Sequence, residues 1–168
     1  MSTPPEVIYF ADRAKEFAVW CQVSHDSKDP QTFQLEALSM LSILYATAWM
    51  LPQEESRTSL PEAPGIVPEH RQALTENFKV MPFQYYWEIL TPSKMEGEAI
   101  PICADLLEDI QDIYADLVVG LWHYEQGHIE AAVFEWRHRF AAHWGAHAVS
   151  AMHALHLFEP KGADDVSG

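Results

Sequence analysis

The chain has 168 residues, the size of one domain, and 48% of them are apolar, which is too high a fraction for a disordered protein. Its 25 acidic residues against 10 lysines and arginines give a net charge of −15, which argues against a nucleic acid or an anionic membrane surface as partner. Cys21 and Cys103 form no CxxC pair, so neither a zinc knuckle nor a redox motif is indicated.

The N-terminal segment has no secretory character. It lacks the basic region and the apolar stretch of a signal peptide. No apolar run approaches the roughly eighteen residues that a membrane-spanning helix needs. We therefore expect a cytoplasmic protein.

Two amphipathic helices are predicted in the first third of the chain. After a threonine and two prolines that suit a first turn, apolar residues recur three and four positions apart as far as about Ser24. Asp29 is placed to cap a second helix, which we expect to end at Pro52. The proline-rich residues 51–68 are predicted to form a long surface connection.

The middle of the chain contains shorter elements and one strongly amphipathic segment. Residues 69–81 are predicted as a short helix, and residues 82–90 as another or as a continuation of it broken by Pro82; a turn-rich stretch follows. Residues 102–126 have an apolar face of leucines and isoleucines at helical spacing, and Gly127 marks the end of that helix.

The last helix is predicted over residues 128–158 and is followed by a disordered tail at residues 159–168. No alternation typical of a strand is apparent. The sequence therefore predicts an all-α fold, a helical bundle of four main helices with shorter inserted helices, in a single domain over residues 1–158.

An acidic stripe runs along the fourth main helix. Asp105, Asp109, Asp112 and Asp116 are spaced 4, 3 and 4 residues apart, which places them on one side of the helix with Glu108 beside them. Because this side lies opposite the leucines, a solvated face is the main interpretation. The helix carries no lysine or arginine, so a cation site or a docking surface for a basic partner is the alternative.

The last helix carries five histidines in two groups. Helical projection places His143 and His147 at the edge of an aromatic band, and His138, His153 and His156 on the other side. The favoured interpretation is that the first two lie at the margin of the core and are hydrogen-bonded to neighbours. The alternative is a metal site in which a carboxylate from a neighbouring helix joins them.

Two known metal motifs do not fit these histidines. Trp144 stands where the HExxH motif has its glutamate, which excludes a zincin. A di-iron bundle requires two ExxH copies, and the copy ending at His128 straddles the turn at Gly127, which leaves only Glu135 with His138.

Arg137 projects toward the packed side of the last helix, where a guanidinium needs a carboxylate partner. Asp112, Asp116 and Glu135 are the candidate partners. Gly145, among alanines, is predicted to let another helix approach closely enough to form the pair.

The segments LLEDIQDIYADLVVGL and FEWRHRFAAHWGAHAVSAMHALH resemble an uncharacterised bacterial family of all-helical domains of unknown function with DIYxDL, EWR, HWGxH and ALxxLH motifs. The resemblance extends from Phe17 to His156, with Glu108 where the family has aspartate. It implies no activity, but it implies that the matching polar residues act together. The candidate binding residues are Asp112, Tyr114, Asp116, Glu135, Arg137 and Trp144, with His143 and His147 as candidate metal ligands.

No glycine-rich nucleotide loop, P-loop or GxSxG motif is present, so nucleotide and nucleophilic chemistry have no support in the sequence. The leading hypothesis is a non-catalytic accessory domain that binds a protein partner through its acidic surface and needs no cofactor. The rival hypothesis is a metal-dependent or small-ligand-binding protein, with a divalent metal held in a pocket of histidines, carboxylates and arginine. Whether the chain is an enzyme is left open.

Overall fold

The computed structural model describes residues 3–53, 62–90 and 92–159 of the chain. Most of them are helical, and two short strands form one antiparallel hairpin. In chain order the elements are α1 (Pro5–Gln22), α2 (Pro30–Ala48), α3 (Pro68–Asn77), β1 (Tyr85–Glu88), β2 (Ile102–Asp105), α4 (Leu106–Glu125), α5 (Ile129–Arg139), a π-helical turn (Phe140–Trp144) and α6 (Gly145–Leu157).

Local signals in the sequence account for several helix ends. The side chain of Asp29 accepts a hydrogen bond from the backbone N–H of Thr32 at 2.9 Å, which confirms the predicted start of α2. Asp105 caps α4 by accepting from the backbone of Leu107 at 2.8 Å. Gly127 has a φ of +78°, and this left-handed conformation ends α4 at the predicted place.

Four helical units surround the core. Helix α1 packs against α2 and α4, α4 also packs against α5 and α6, and α2 packs against α6. Their apolar faces enclose a core rich in aromatic residues, and the burial of these side chains away from water stabilises the bundle. The predicted all-α bundle of four main units is confirmed, with α5 and α6 together forming the fourth.

Helices α4 and α5 approach each other at Gly120. A Cβ atom there would lie 2.2 Å from Nε1 of Trp136, so only glycine fits between the helix and the indole ring. The same indole N–H donates a hydrogen bond of 3.1 Å to the carbonyl oxygen of Leu117. This contact sets the spacing between α4 and the segment that carries the arginines and histidines.

The predicted short helix over residues 82–90 is wrong, since Tyr85–Glu88 forms strand β1. Its partner β2 occupies residues that were predicted as the first turn of α4, and Tyr85 lies opposite Asp105 in the hairpin. Aromatic residues favour a strand. The pairing joins segments separated by a long loop, which helical periodicity does not detect.

Parts of two predicted segments lie outside the described residues. These are residues 54–61 of the proline-rich connection and residues 160–168 of the predicted tail. Among the helices that the structure describes, none has both the length and the apolar character needed to cross a membrane.

His25 is buried in an aromatic cluster after the end of α1. Its Nε2 donates a 2.9 Å hydrogen bond to the carbonyl oxygen of Trp20, and its ring packs against Phe33 and Phe78. Burial lowers the pKa of His25 from its usual 6.5, because the aromatic surroundings solvate the charged imidazolium poorly.

Acid is therefore expected to destabilise the fold through His25. As the pH falls from 6.5 through the lower pKa of the folded state, the unfolded chain binds more protons than the folded chain, and this stability is progressively lost. Urea unfolding over this pH interval should show a shallower loss of unfolding free energy for His25→Leu than for the unmodified protein. Equal slopes for the two proteins would contradict the assignment.

Candidate metal centre

The acidic stripe of α4 faces the helical segment that carries the histidines. Asp109 and Asp116 are each only 5% exposed, so the predicted solvated face is wrong for these two residues. Asp112 is partly buried between them, whereas Glu108 is exposed. Buried carboxylates require charged or hydrogen-bonding partners, and α5, α6 and the turn between them supply these partners.

Two of the aspartates each hold one histidine. Asp116 lies 2.7 Å from Nδ1 of His143, and Asp109 lies 2.8 Å from Nδ1 of His147. Because a carboxylate accepts hydrogen bonds, each Nδ1 carries a proton, and in the neutral form of the ring the lone pair is then on Nε2. The hydrogen-bonded histidines favoured by the sequence are thus present, with aspartates as their partners.

The free Nε2 atoms of both histidines face the third aspartate. Oδ2 of Asp112 is 4.0 Å from Nε2 of His143 and 3.8 Å from Nε2 of His147. One ligand atom from each of the three side chains lies within 4.8 Å of the others. Zinc binds imidazole nitrogen and carboxylate oxygen at roughly 2.0–2.2 Å, so two ligand atoms of one ion lie no more than about 4.4 Å apart. The 4.0 and 3.8 Å distances from Asp112 fall within this limit.

The centre is open to solvent on one side. The side chain of His143 is 48% exposed, whereas that of Asp112 is 19% exposed. A metal ion held there would keep positions for water or a further ligand, as catalytic sites do and closed structural zinc sites do not.

Further side chains hold the buried aspartates in place. Arg139 bridges two carboxylates, with Nη1 3.0 Å from Asp116 and Nε 2.8 Å from Glu135. The hydroxyl of Tyr86, on β1, donates a 2.6 Å hydrogen bond to Asp109. Burial and this hydrogen bond raise the pKa of Tyr86 above its usual range, so the hydroxyl remains a donor.

The electrostatics of His147 follow from its aspartate. The hydrogen bond to Asp109 raises the pKa of His147 above 6.5, against the opposing effect of burial. An imidazole oriented by a carboxylate is a more basic ligand, and such carboxylate–histidine pairs are the usual second shell of protein metal sites.

The π-helical turn aligns the residues of this centre. The backbone N–H of Gly145 bonds to the carbonyl of Phe140, five residues earlier, which inserts one residue into the helix. One extra residue rotates α5 by about 100° relative to α6. Arg139 and His147, which a regular helix would separate by about 80°, are thereby brought to one face.

Gly145 serves this turn rather than the predicted close approach of another helix. A Cβ atom at this position would lie 2.5 Å from the carbonyl oxygen of Phe140 and 3.0 Å from its ring. The neighbour that excludes a side chain is thus in the same helical segment. The glycine at which two helices approach closely is Gly120.

The structure brings together five of the eight residues named as candidates, namely Asp112, Asp116, Glu135, His143 and His147. It also adds three residues that the sequence did not place in the site. Asp109 belonged to the predicted stripe, and Arg139 is spaced four residues from both Glu135 and His143, a signal that could have identified it. Tyr86 depends on the hairpin, and no pattern in the sequence indicated it.

The other three candidates lie elsewhere. The hydroxyl of Tyr114 accepts a 2.8 Å hydrogen bond from Gln22 on the α1 side of α4. Trp144 is fully buried in the aromatic core. Arg137 donates to the main-chain carbonyl oxygen of Leu51. Two of the ion pairs predicted for Arg137, with Asp116 and Glu135, are formed by Arg139, because the π-helical turn changes which arginine faces α4. The third candidate partner, Asp112, pairs with Arg71.

The remaining histidines of the last helical segment are exposed. His138 stacks on Phe134 with ring centroids 5.5 Å apart and an interplanar angle of 8°, so its ExxH spacing assembles no di-iron ligand set. His153 and His156 also lie on the outer face of α6. They provide natural controls for the two histidines of the centre.

Comparison with known proteins places the chain in a family. The chain is similar to the crystal structure of protein BF1032 from Bacteroides fragilis, with 25% sequence identity, a TM-score of 0.76 and coverage of 94% of this chain and 96% of that one. The search of curated proteins gives no match. The family model described as a domain of unknown function, DUF5063, matches residues 2–159. The chain therefore belongs to the DUF5063 family.

Proposed function

We propose that this protein is a metal-dependent helical domain that binds one divalent ion through His143, His147 and Asp112. One observation carries the proposal. Both histidines are held at Nδ1 by buried aspartates while both Nε2 atoms face the same oxygen of a third aspartate. This arrangement fixes tautomer and ring orientation together, as the hydrogen-bond partners of metal-bound histidines do.

The charges at the centre also favour a bound cation. Two imidazole lone pairs and one carboxylate oxygen converge within 4.8 Å, and all three are acceptors. Converging acceptors repel one another unless a positive charge lies between them. A divalent ion satisfies all three at once, whereas a proton on one Nε2 leaves the lone pair of the other ring without a partner.

The donor set indicates which ions suit the centre. Two imidazoles and one carboxylate, without a thiolate, match Zn²⁺ or the open two-histidine, one-carboxylate sites of non-haem Fe²⁺. Ca²⁺ and Mg²⁺ prefer oxygen ligands throughout. A bound Zn²⁺ would act as a Lewis acid and lower the pKa of a coordinated water to about 7.

A protein-binding acidic surface, the leading hypothesis from the sequence, stays a prediction with a weaker basis. Its main support was the single-sign stripe, of which Asp109 and Asp116 face inward and bind histidines. The metal-dependent hypothesis agrees with these inward positions, because there the two aspartates orient the candidate ligands His143 and His147.

Metal binding is tested directly on protein purified without a histidine tag. After equilibrium dialysis against Zn²⁺, and separately against Fe²⁺ without oxygen, elemental analysis should give about one ion per chain for one of these metals. His156→Ala removes a histidine from the exposed face of α6 and should bind the same amount. A folded chain that retains no metal would contradict the proposal.

Asp109→Asn is expected to weaken metal binding by about 10–100-fold, because an amide supports the basicity of His147 less well than a carboxylate. Calorimetric titration with the chosen metal measures the change. Glu108→Gln removes the same charge from the exposed neighbouring position and should change the affinity less than threefold or so, since solvent screens it. Equal losses in both variants would mean that overall charge, rather than the orientation of His147, controls the affinity.

A further inference from the structure

Arg71 on α3 lies beside the candidate metal centre but is not one of its three candidate ligands. Its Nη2 is 3.5 Å from Oδ1 of Asp112, and its side chain is 47% exposed. Helix α3 is held against α4 by Gln111, whose side-chain amide donates to the carbonyl oxygen of Arg71 at 3.3 Å and to the hydroxyl of Thr75 at 3.2 Å. The backbone of Arg71 is thus held at the rim of the centre, and from there its guanidinium reaches Asp112.

The two oxygens of Asp112 face different groups. Oδ2 faces the Nε2 atoms of His143 and His147, and Oδ1 faces Arg71. A single carboxylate therefore spans the distance from the metal position to the guanidinium. A second anion with similar oxygen spacing could bridge the same two positive groups from the solvent side.

Arg139 and Arg71 both contact carboxylates of the centre, but they differ in how many of their N–H donors are already bonded. Arg139 is committed to Asp116 and Glu135 at 3.0 and 2.8 Å. Among the residues that the structure describes, Arg71 forms one ion pair, at 3.5 Å with Asp112, which leaves N–H donors of its guanidinium to bind another ligand. Arginine is well suited to such a role because its planar donors match carboxylates and phosphates.

The charge at the open side also favours an anion. Asp109 and Asp116 are bound to histidines, so Asp112 is the one carboxylate among the three ligands. With a divalent ion in place, the ion, Arg71 and Arg139 carry four positive charges, which equal the four negative charges of the carboxylates around them, Asp109, Asp112, Asp116 and Glu135. Because Asp109 and Asp116 are buried, whereas the ion and the half-exposed Arg71 would border the open side, an anion entering from solvent meets the positive groups first.

We infer that the centre binds a small molecule through an oxyanion group, a carboxylate or a phosphate, held jointly by the metal ion and by Arg71. This inference rests on the proposed function and names the class of ligand that completes the coordination. The metal polarises one oxygen of the group, and the guanidinium orients the other.

The test uses the full chain loaded with Co²⁺, whose visible absorption reports its coordination. Titration with inorganic phosphate and, separately, with acetate should change the spectrum in a saturable way, and the tighter of the two identifies the preferred oxyanion. With Co²⁺ at saturation, so that a change in metal affinity does not enter the comparison, Arg71→Gln should bind the preferred anion about 10–100-fold more weakly than the unmodified chain, as expected for a lost charged hydrogen bond. Lys79→Gln, which removes an exposed charge paired with Glu76, should leave both affinities unchanged.

The outcomes separate this inference from the proposed function. If Co²⁺ binds at one ion per chain and neither anion alters its spectrum, or if Arg71→Gln binds the anion as tightly as the unmodified chain, the inference is wrong and the metal centre stands. If the chain binds no Co²⁺, Zn²⁺ or Fe²⁺, the metal centre and this inference fail together.

Discussion

His147→Ala is expected to lower the affinity for the metal by more than the roughly 100-fold typical of outer-shell changes, because it removes one of three ligands. His143→Ala should do the same for the same reason. Calorimetric titration of the unmodified chain and the two variants with Zn²⁺ or Fe²⁺ measures the loss. Affinities within about threefold of the unmodified chain would contradict a centre built on this pair.

The fold should survive these substitutions well enough for the comparison. His143 is 48% exposed and His147 is 29% exposed, so neither is a core residue. In His147→Ala, Asp109 keeps its hydrogen bond from Tyr86, so we expect a loss of about 1–3 kcal/mol from one missing partner. His156→Ala, on the exposed face of the same helix, is the matched control for both metal affinity and stability.

Gly120→Ala is expected to reduce the free energy of unfolding by about 3 kcal/mol, because the added methyl group overpacks a buried contact. The added Cβ would lie 2.2 to 2.6 Å from three atoms of the Trp136 ring, which is fully buried and cannot move outward freely. Displacing the indole also breaks its hydrogen bond to Leu117. The better helix propensity of alanine offsets only about 1 kcal/mol of this loss.

Urea unfolding monitored by tryptophan fluorescence measures this effect. Gly65→Ala is the matched control, since a Cβ at that position meets nothing within 4 Å and should change the stability by less than about 0.5 kcal/mol. A loss in Gly120→Ala no larger than that of the control would show that α4 and α5 are not packed through this glycine.

Helical periodicity and capping predicted much of the fold but not the burial of the acidic stripe. The spacing of Asp109, Asp112 and Asp116 correctly placed them on one side of α4. Their position opposite the leucines suggested solvent, because one apolar face is expected for a surface helix. Helix α4 instead packs on α1 with one side and on α5 and α6 with the other, so its second buried face is polar and matched by partners.

The prediction of Arg137 instead of Arg139 as the partner of the carboxylates was wrong for a specific physical reason. A constant rotation per residue places Arg137 on the packed side of the last helix, and the π-helical turn at Phe140–Trp144 breaks that constancy. Gly145 was the available signal, but a glycine among alanines is equally consistent with close helix packing. The intrahelical contact with Phe140 becomes evident only in three dimensions.

Tyr86 could not have been predicted from sequence. Its hydroxyl reaches Asp109 because β1 pairs with β2 directly before α4, and that pairing joins residues on either side of a long loop. Sequence patterns show local periodicity, whereas this contact depends on the pairing of two strands that are far apart in the sequence. The family motifs include the ligand histidines and Asp112 but contain Tyr114 as well, whose contact is with α1.

The central claim is that one metal ion lies between His143, His147 and Asp112. Crystals grown with Co²⁺ or Zn²⁺, measured at the absorption edge of the metal, test it most directly. We expect one anomalous difference peak about 2.0–2.2 Å from both Nε2 atoms and from Oδ2 of Asp112, with Nδ1 of each histidine still bound to its aspartate. A peak at another place, or no peak between these three side chains at full metal saturation, would contradict the account.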